Sequence, residues 1–449
     1  YAALHEGVTR AEPRHDAWWT TLHDPLLSQL IEQGLGQNLD IQLAMARIER
    51  ARARAAATGR VALTTGTLET GARVTRSDGG ETGSEATATI RPAFLIDLWG
   101  QEAARAEFAR NELRAASFDS AAARLAFQLE VATAYFDLRY FDAALSITRQ
   151  SVSNRAQLRD IVRSRFENGA ASELDLNRAE AALLDVRSGL ADLEIARSEA
   201  ALRLATLIAV SPASMLRTLQ RSSIGQPVPR AGIDVAFPAR LLRNRPDILA
   251  AEARLAAAVA DLGVTEADLM PSLQITGTLQ VSESSFVDFG PLLRFPVLDR
   301  GVRRARVEEA KADIIEAEIL WRQSVRRAIE EVELALVRFR QTALKRQVSD
   351  AAFAKYRDTL DTARAAFDAG DLPLTDVLDL EQDVNTARLD RALATRDFAS
   401  AWAQLHVAVG HGWHGVYRVK RCCDADGQPY AIAEGPADPP PTEAPNPAD

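Results

Sequence analysis

Cysteine, methionine and lysine are scarce in this 449-residue chain, at two, three and four residues. The cysteines, Cys422 and Cys423, are adjacent and near the end, so neither a disulfide framework nor a spaced thiolate metal site is available. Six histidines sit in the two terminal regions, and His411-Gly-Trp-His414 lacks a third ligand at helical spacing. No phosphate-binding glycine loop of the Walker type occurs, and no nucleophile, acid and base form a catalytic set. The reading is therefore of a non-enzyme with no cofactor and no metal. A net charge of −9 without a basic stripe excludes a nucleic-acid partner. No apolar run approaches the roughly 20 residues of a spanning helix, so any membrane crossing must use strands. The chain starts at Tyr1 rather than methionine, and removal of an export signal is the expectation drawn from that.

What is present is a duplication. "NLDIQLAMARIERARA" (38–53) parallels "RPDILAAEARLAAAVA" (245–260). "GQEAARAEFA" (100–109) parallels "GVRRARVEEA" (301–310) at a shift of 201. The same shift carries Glu130 onto Glu331, Phe166 onto Phe367, Gly169 onto Gly370, Asp175 onto Asp376 and Glu180 onto Glu381.

Each half reads as helix, two strands, a very long helix, a turn and a return helix. "PSLQITGTLQV" (271–281) alternates: Leu273, Ile275, Leu279 and Val281 share one face, Gln274, Thr276 and Gln280 the other. It is expected to pair with "GPLLRFPVLD" (290–299) through "SESSFVDF". In the first half, "TGTLETGARVT" (65–75) and "ATATIRPAFLID" (86–97) form the equivalent pair through "RSDGGETGSE", with Asp97 on the polar face. Such lengths suit tilted membrane-spanning strands. From Gly100 to Asn168 there is neither proline nor further glycine, enough for a helix of about 100 Å. Phe127, Val131, Ala134, Leu138, Phe141 and Leu145 repeat at 4-3-4-3-4, a coiled-coil seam; Val325, Ile329, Val332, Leu336, Phe339 and Ala343 repeat it in the second half. Four strands cannot close a barrel, and an open edge cannot persist in lipid, so several chains are expected to share one.

With these patterns in place, the chain resembles the outer membrane factor family, the TolC-like channels, and within it the OprM/NodT efflux branch. The markers are "AWWTTLHDPLLSQLIEQGLGQNLDIQLAMARIERARA", "LIDLWG", "RFENGAASELDLNRAEAAL", "LLRNRPDILAAEARLAAAVADLG", "FPVLDRG" and "AVGHGWHG". Two departures stand out. No cysteine near Tyr1 offers an acylation site, and His411 replaces a glycine of the usual terminal motif. The resemblance implies a mainly α fold with a membrane β part. A homotrimer would form a 12-stranded outer-membrane β-barrel, four strands per chain, continued by an α-helical coiled-coil tunnel in the periplasm. It divides the chain into a first repeat (1–210: strand pair 63–98, long helix 100–168, return helix 171–210), an equatorial segment (211–244), and a second repeat (245–415: strand pair 272–299, long helix 301–369, return helix 373–410). An acidic, proline-rich tail (416–449) is expected to be disordered.

The function implied is passive exit of drugs or small metabolites. The implied partners are a periplasmic adaptor (membrane fusion) protein, an inner-membrane transporter of the resistance-nodulation-division type, and outer-membrane lipid. A type I secretion or metal-efflux channel of the same fold is the alternative, and a soluble coiled-coil scaffold would have no use for the strands. Leu273, Ile275, Leu279 and Val281 are expected to face lipid, with Gln274, Thr276 and Gln280 facing the lumen. Gly169, Ala170, Ala171, Gly370 and Leu372 mark the adaptor-docking tips. Asp376 and Asp379, three apart on one helix face, are expected to form a cation-binding gate with Asp175, the latter pairing with Arg163 or Arg165. The competing expectation for the two aspartates is a simple helix cap.

Overall fold

The computed structural model describes residues 17–61, 65–76, 82–220, 225–230, 244–282, 285–413, 419–423 and 429–433. A 3-10 turn, Trp18–Leu22, leads into α1 (Pro25–Gln37) and α2 (Leu39–Val61). Strands β1 (Thr65–Arg76) and β2 (Thr82–Ile96) precede α3 (Gln101–Glu167), which turns back as α4 (Glu173–Leu207), followed by α5 (Pro212–Gln220). The second half repeats the order with α6 (Pro246–Ala267), β3 (Ser272–Val281), β4 (Phe286–Arg294), α7 (Arg300–Ala369) and α8 (Leu374–Ala408). Among the described residues no single helix is long and apolar enough to cross a membrane.

The duplication is visible in individual bonds. Asn38 Nδ2 donates to the Leu207 carbonyl at 2.8 Å, and Arg245 Nη1 donates to the Ala408 carbonyl at 2.9 Å. The acceptors are 201 residues apart. Arg163–Glu180 (2.6 Å) recurs as Arg364–Glu381 (2.7 Å), and left-handed residues end both return helices, at Ala209 and Gly410.

The described residues pack as two units. One draws on Tyr1–Gln42, Ala122–Arg245 and Ala328–Asp449, the other on Leu43–Ala121 and Pro246–Arg327. The first holds the main core, where Trp18, Leu27, Ile31, Val131, Tyr135, Phe136, Leu204 and Trp402 are buried. The expected α3 seam lies here, with Phe127, Val131, Ala134, Leu138 and Leu145 buried. Its centre is polar. Asp24 caps α1 by accepting from the backbone N–H groups of Leu26 and Leu27, and Tyr135 donates its hydroxyl proton to Asp24 at 2.6 Å. Arg139 Nε donates to that same hydroxyl at 2.9 Å. A neighbouring carboxylate and burial both disfavour the tyrosinate, so Tyr135 is held well above the usual phenol range, with burial the larger cause.

The second unit contains a four-stranded antiparallel sheet in the order β1-β2-β3-β4. Its strand limits correct three expectations. β2 begins at Thr82, so residues 82–85 belong to the strand rather than the link. β4 spans Phe286–Arg294, and "FPVLD" lies beyond it. Asp97 sits past β2, where its carboxylate accepts from the N–H groups of Gln101, Glu102 and Ala103 and caps α3; a carboxylate at this positive end stabilises the long helix. The tail also departs from expectation: β5 (Val419–Cys423) and β6 (Pro429–Ala433) form a hairpin in which Cys422 lies opposite Tyr430.

Candidate channel wall and helical tip

Register decides which side chains of the sheet share a face. Ile90 lies opposite both Leu68 and Leu279, and Leu279 opposite Val287. Phe94 meets Ile275, which meets Pro291; Ile96 meets Leu273, which meets Leu293. Gly277 faces Phe289, whose ring covers it so closely that a Cβ there would approach the ring atoms to 2.8 Å. This face is mainly apolar, with Thr70 opposite Ala88 the polar exception beside them. Leu68, Ile90, Ile275, Leu279, Val281 and Val287 are exposed and Leu273 is half-buried.

The opposite face carries Gln274, Thr276 and Gln280, all half-buried, beside Thr89, Arg91 and Glu69. Arg91 pairs with Glu69 across β1 and β2 at 2.5 Å. Among the described residues no strand pairs with the outer side of β1 or of β4. The sheet therefore has one mainly apolar face and one mixed face, on which Leu95 and Leu292 flank Gln274 and Phe286 lies opposite Gln280. At its helix side, Trp99 Nε1 donates to the Pro271 carbonyl at 2.8 Å, and Arg303 Nη1 donates to that of Asp268 at 2.7 Å.

The tips are built in the other unit. Gly169 and Gly370 adopt φ of +72° and +87°, the left-handed region in which glycine carries no Cβ penalty. The N–H of Ala170 returns to the Arg165 carbonyl, and that of Asp371 to the Ala366 carbonyl. Beneath them Leu158, Val162, Ala179, Leu360, Phe367, Leu374 and Val377 form a small core. Ala170 is exposed, whereas Ala171 and Leu372 pack on that core and so are structural as well as terminal.

The three aspartates divide into two kinds. Asp175 forms a capping box with Ser172: it accepts from the Ser172 hydroxyl and backbone N–H, while the Asp175 N–H donates back to the hydroxyl. The hydroxyl bond is the chief cause holding its carboxyl below the usual range. Among the described residues of one chain, Asp175 is not bonded to Arg163 or Arg165. Arg163 is bonded to Glu180, and Arg165 lies over the Phe367 ring at 4.4 Å.

Asp376 occupies the same repeat position, yet its N-cap is Pro373, which has neither hydroxyl nor N–H. No capping box is possible there. Asp376 and Asp379 are both exposed on one side of α8, and Asp376 takes only a long bond from Thr375. Near the C-terminus, His411 lies 3.0 Å from His406, Nδ1 to Nδ1, while His414 is outside the described residues.

An amphipathic open sheet joined to duplicated helical hairpins is the protomer of an outer-membrane channel of the TolC-like fold. The outer membrane efflux protein family model matches residues 30–210 and 237–411, and the chain belongs to that family. It is 32% identical over 421 residues to Nodulation protein T of Rhizobium leguminosarum bv. trifolii, covering 89% of this chain and 88% of the relative. It is 29% identical over 416 residues to the pyoverdine export outer membrane protein OpmQ of Pseudomonas putida, covering 88% of each. The solved outer-membrane channel OprN superposes with a TM-score of 0.83 at 26% identity, over 92% of this chain and 95% of that one. The protein is thus a non-enzymatic efflux channel of the Gram-negative outer membrane, whose helices belong to the periplasmic tunnel of that fold.

Proposed function

We propose that three copies of this chain form the exit duct of a tripartite efflux pump, conducting drugs or small metabolites passively to the exterior. The observation that carries this is the sheet with an apolar face and two unpaired edges. In hydrocarbon every edge N–H and C=O must be paired, so β4 of one copy joins β1 of the next until the ring closes. Two copies would give eight strands, a barrel whose interior side chains fill. Three give twelve and leave a lumen, and TolC-like channels form trimers that work with efflux pumps. Leu273, Ile275, Leu279 and Val281 then face lipid, and Gln274, Thr276 and Gln280 line the lumen.

The turns at Gly169–Ala171 and Gly370–Leu372 are the docking points for a periplasmic adaptor, behind which an inner-membrane transporter of the resistance-nodulation-division type supplies the energy. Asp376 and Asp379, each present once per copy, make two rings of three carboxylates that bind cations at the tunnel mouth, beside Asp175, which also caps α4. The test uses a channel-deleted Gram-negative host carrying this gene with its neighbouring adaptor and transporter genes. Wild type should lower ethidium accumulation, and Ala170→Trp should restore accumulation while the outer-membrane trimer persists. Full efflux by Ala170→Trp would remove the tips from adaptor docking, and a protein missing from the outer-membrane fraction would refute the duct.

A further inference from the structure

The C-terminal end of α8 carries two histidines that conduction through the duct does not use. The helix closes in a Schellman turn. Gly410, at a φ of +79°, sends its N–H to the Val407 carbonyl, and the His411 N–H returns to the His406 carbonyl at 3.0 Å. The two imidazoles meet as well, Nδ1 to Nδ1 at 3.0 Å.

Residues 410–413 form a strap that is clamped to the core on both sides of His411. A Cβ at Gly410 would lie 2.5 Å from the Asn244 carbonyl oxygen, and one at Gly412 would lie 2.5 Å from Gln128 Oε1. Gln128 Nε2 donates to the Gly412 carbonyl at 2.9 Å, and Trp413 Nε1 donates to that of Asn244 at 2.7 Å. Between the two glycines, position 411 has room for a side chain, and an ionisable ring fills it.

His406 is buried. Trp18 stacks on its ring at 5.9 Å, and Trp402, one turn earlier on α8, meets it edge-on at 4.2 Å. An Nδ1–Nδ1 contact this short needs one N–H and one lone pair. The pair can therefore be neutral or hold one added proton. With both rings charged, each Nδ1 carries a hydrogen, the bond is lost and two like charges meet beside apolar rings.

The last turn of a helix favours one positive charge, but the neighbouring groups do not favour a second. Arg245 donates to the Ala408 carbonyl and to Glu331 of α7, so that carboxylate is already engaged. α3 brings Arg124, buried one turn from Gln128. The Trp18–Leu22 turn presents the Trp18 ring; beyond it come exposed His23 and Asp24, whose carboxylate takes the Tyr135 proton. On α8 itself the preceding acid, Asp397, is paired with Lys345.

We infer that His406 and His411 are an acid-released latch: the rings hold at most one added proton while bonded, and a second parts them and frees the strap from the core. The open strap takes both protons at the ordinary imidazole value of about 6.5, whereas the closed one resists the second. Closure is therefore at full strength above about pH 6.5 and weakens as pH falls below it. One extra proton taken up on opening raises the opening constant by at most about tenfold per pH unit. The latch lies within one chain and is independent of how many copies form the duct.

The test is hydrogen exchange read by mass spectrometry on the full chain in detergent, with rates corrected for intrinsic exchange at each pH. From about pH 7.5 to about pH 5, protection factors at Gly410 and His411 should fall about tenfold in wild type. In His411→Asn the side-chain oxygen accepts from His406 Nδ1 whether or not that ring is charged, so protection should stay within about twofold. His411→Gly lacks the bond, and should be less protected at neutral pH and equally flat. Wild-type protection that does not change with pH would overturn the latch. So would a fall as steep in His411→Asn and His411→Gly as in wild type.

Discussion

Arginine placed along the apolar face of the sheet should cost stability according to depth. The register sorts that face into rows, counted from the helix side. Ile96, Leu273 and Leu293 form the first, Phe94, Ile275 and Pro291 the second, and Gly277 with Phe289 the third. Leu68, Ile90, Leu279 and Val287 form the fourth, and Ala88 with Val281 the fifth. Successive rows are two residues, or about 6.6 Å, apart along a strand. A tilt of about 40° reduces that to about 5 Å of height, so five rows fill the roughly 25 Å apolar band of an outer-membrane barrel. Phe289 is then at mid-bilayer, Leu279 about 5 Å from it and Leu273 near an interface.

An arginine at the midplane costs about 2–4 kcal/mol, falling to about 0–1 near the interface. Phe289→Arg should therefore be the most damaging, at about 3 kcal/mol per copy, Leu279→Arg intermediate at about 2, and Leu273→Arg below 1. Gln280→Arg, one residue on but facing the lumen, should be nearly neutral. The assay is reversible denaturation of the protein refolded into lipid vesicles, with trimer retention on semi-native gels as a second readout. Equal penalties at Leu279 and Gln280 would refute the facing assignment. A flat series across Leu273, Leu279 and Phe289 would refute the depth assignment.

The exposed carboxylates of α8 should matter to ions and the capped one to folding. Asp376→Asn with Asp379→Asn should weaken cation selectivity and block by trivalent cations added on the periplasmic side of planar bilayers, while Asp175→Asn should leave both unchanged and loosen the first turn of α4 by about 1 kcal/mol, the worth of a cap. Because the folded Asp175 carboxyl lies below its ordinary range, its contribution is present above the unfolded pKa and is lost as pH falls through the folded one. Protection factors of the amides at the start of α4 should therefore fall in acid in wild type and less so in Asp175→Asn. Tyr135→Phe removes a hydroxyl that joins two buried charged side chains, Asp24 and Arg139, and should cost about 2–3 kcal/mol in urea unfolding, as bonds to charged groups do. A loss under 0.5 kcal/mol, against that ~2–3 kcal/mol expectation, would mean that water replaces the hydroxyl there.

Much of this protein was legible in one dimension because its signals are periodic and local. The alternation of 271–281 sets a strand and its two faces whatever it pairs with, and a glycine-free, proline-free run from 101 to 167 can only be one long helix once the heptads recur. The constant shift of 201 established the duplication, and six ordered motifs the family. The structure decided what periodicity does not report, namely where elements end, how they are capped and which distant residues meet. Asp97 reads as the last polar residue of an alternating strand, but the chain turns before it and three N–H groups of α3 take its carboxylate. Asp175 and Asp376 look alike in the repeat, yet Ser172 engages one and Pro373 cannot engage the other. The buried trio of Asp24, Tyr135 and Arg139 ties Asp24 to residues more than 100 positions away, with no spacing to announce it. Periodicity reports how a segment is wetted along its own axis; which distant group completes a hydrogen bond or covers a stripe is set only when the helices and strands are brought together.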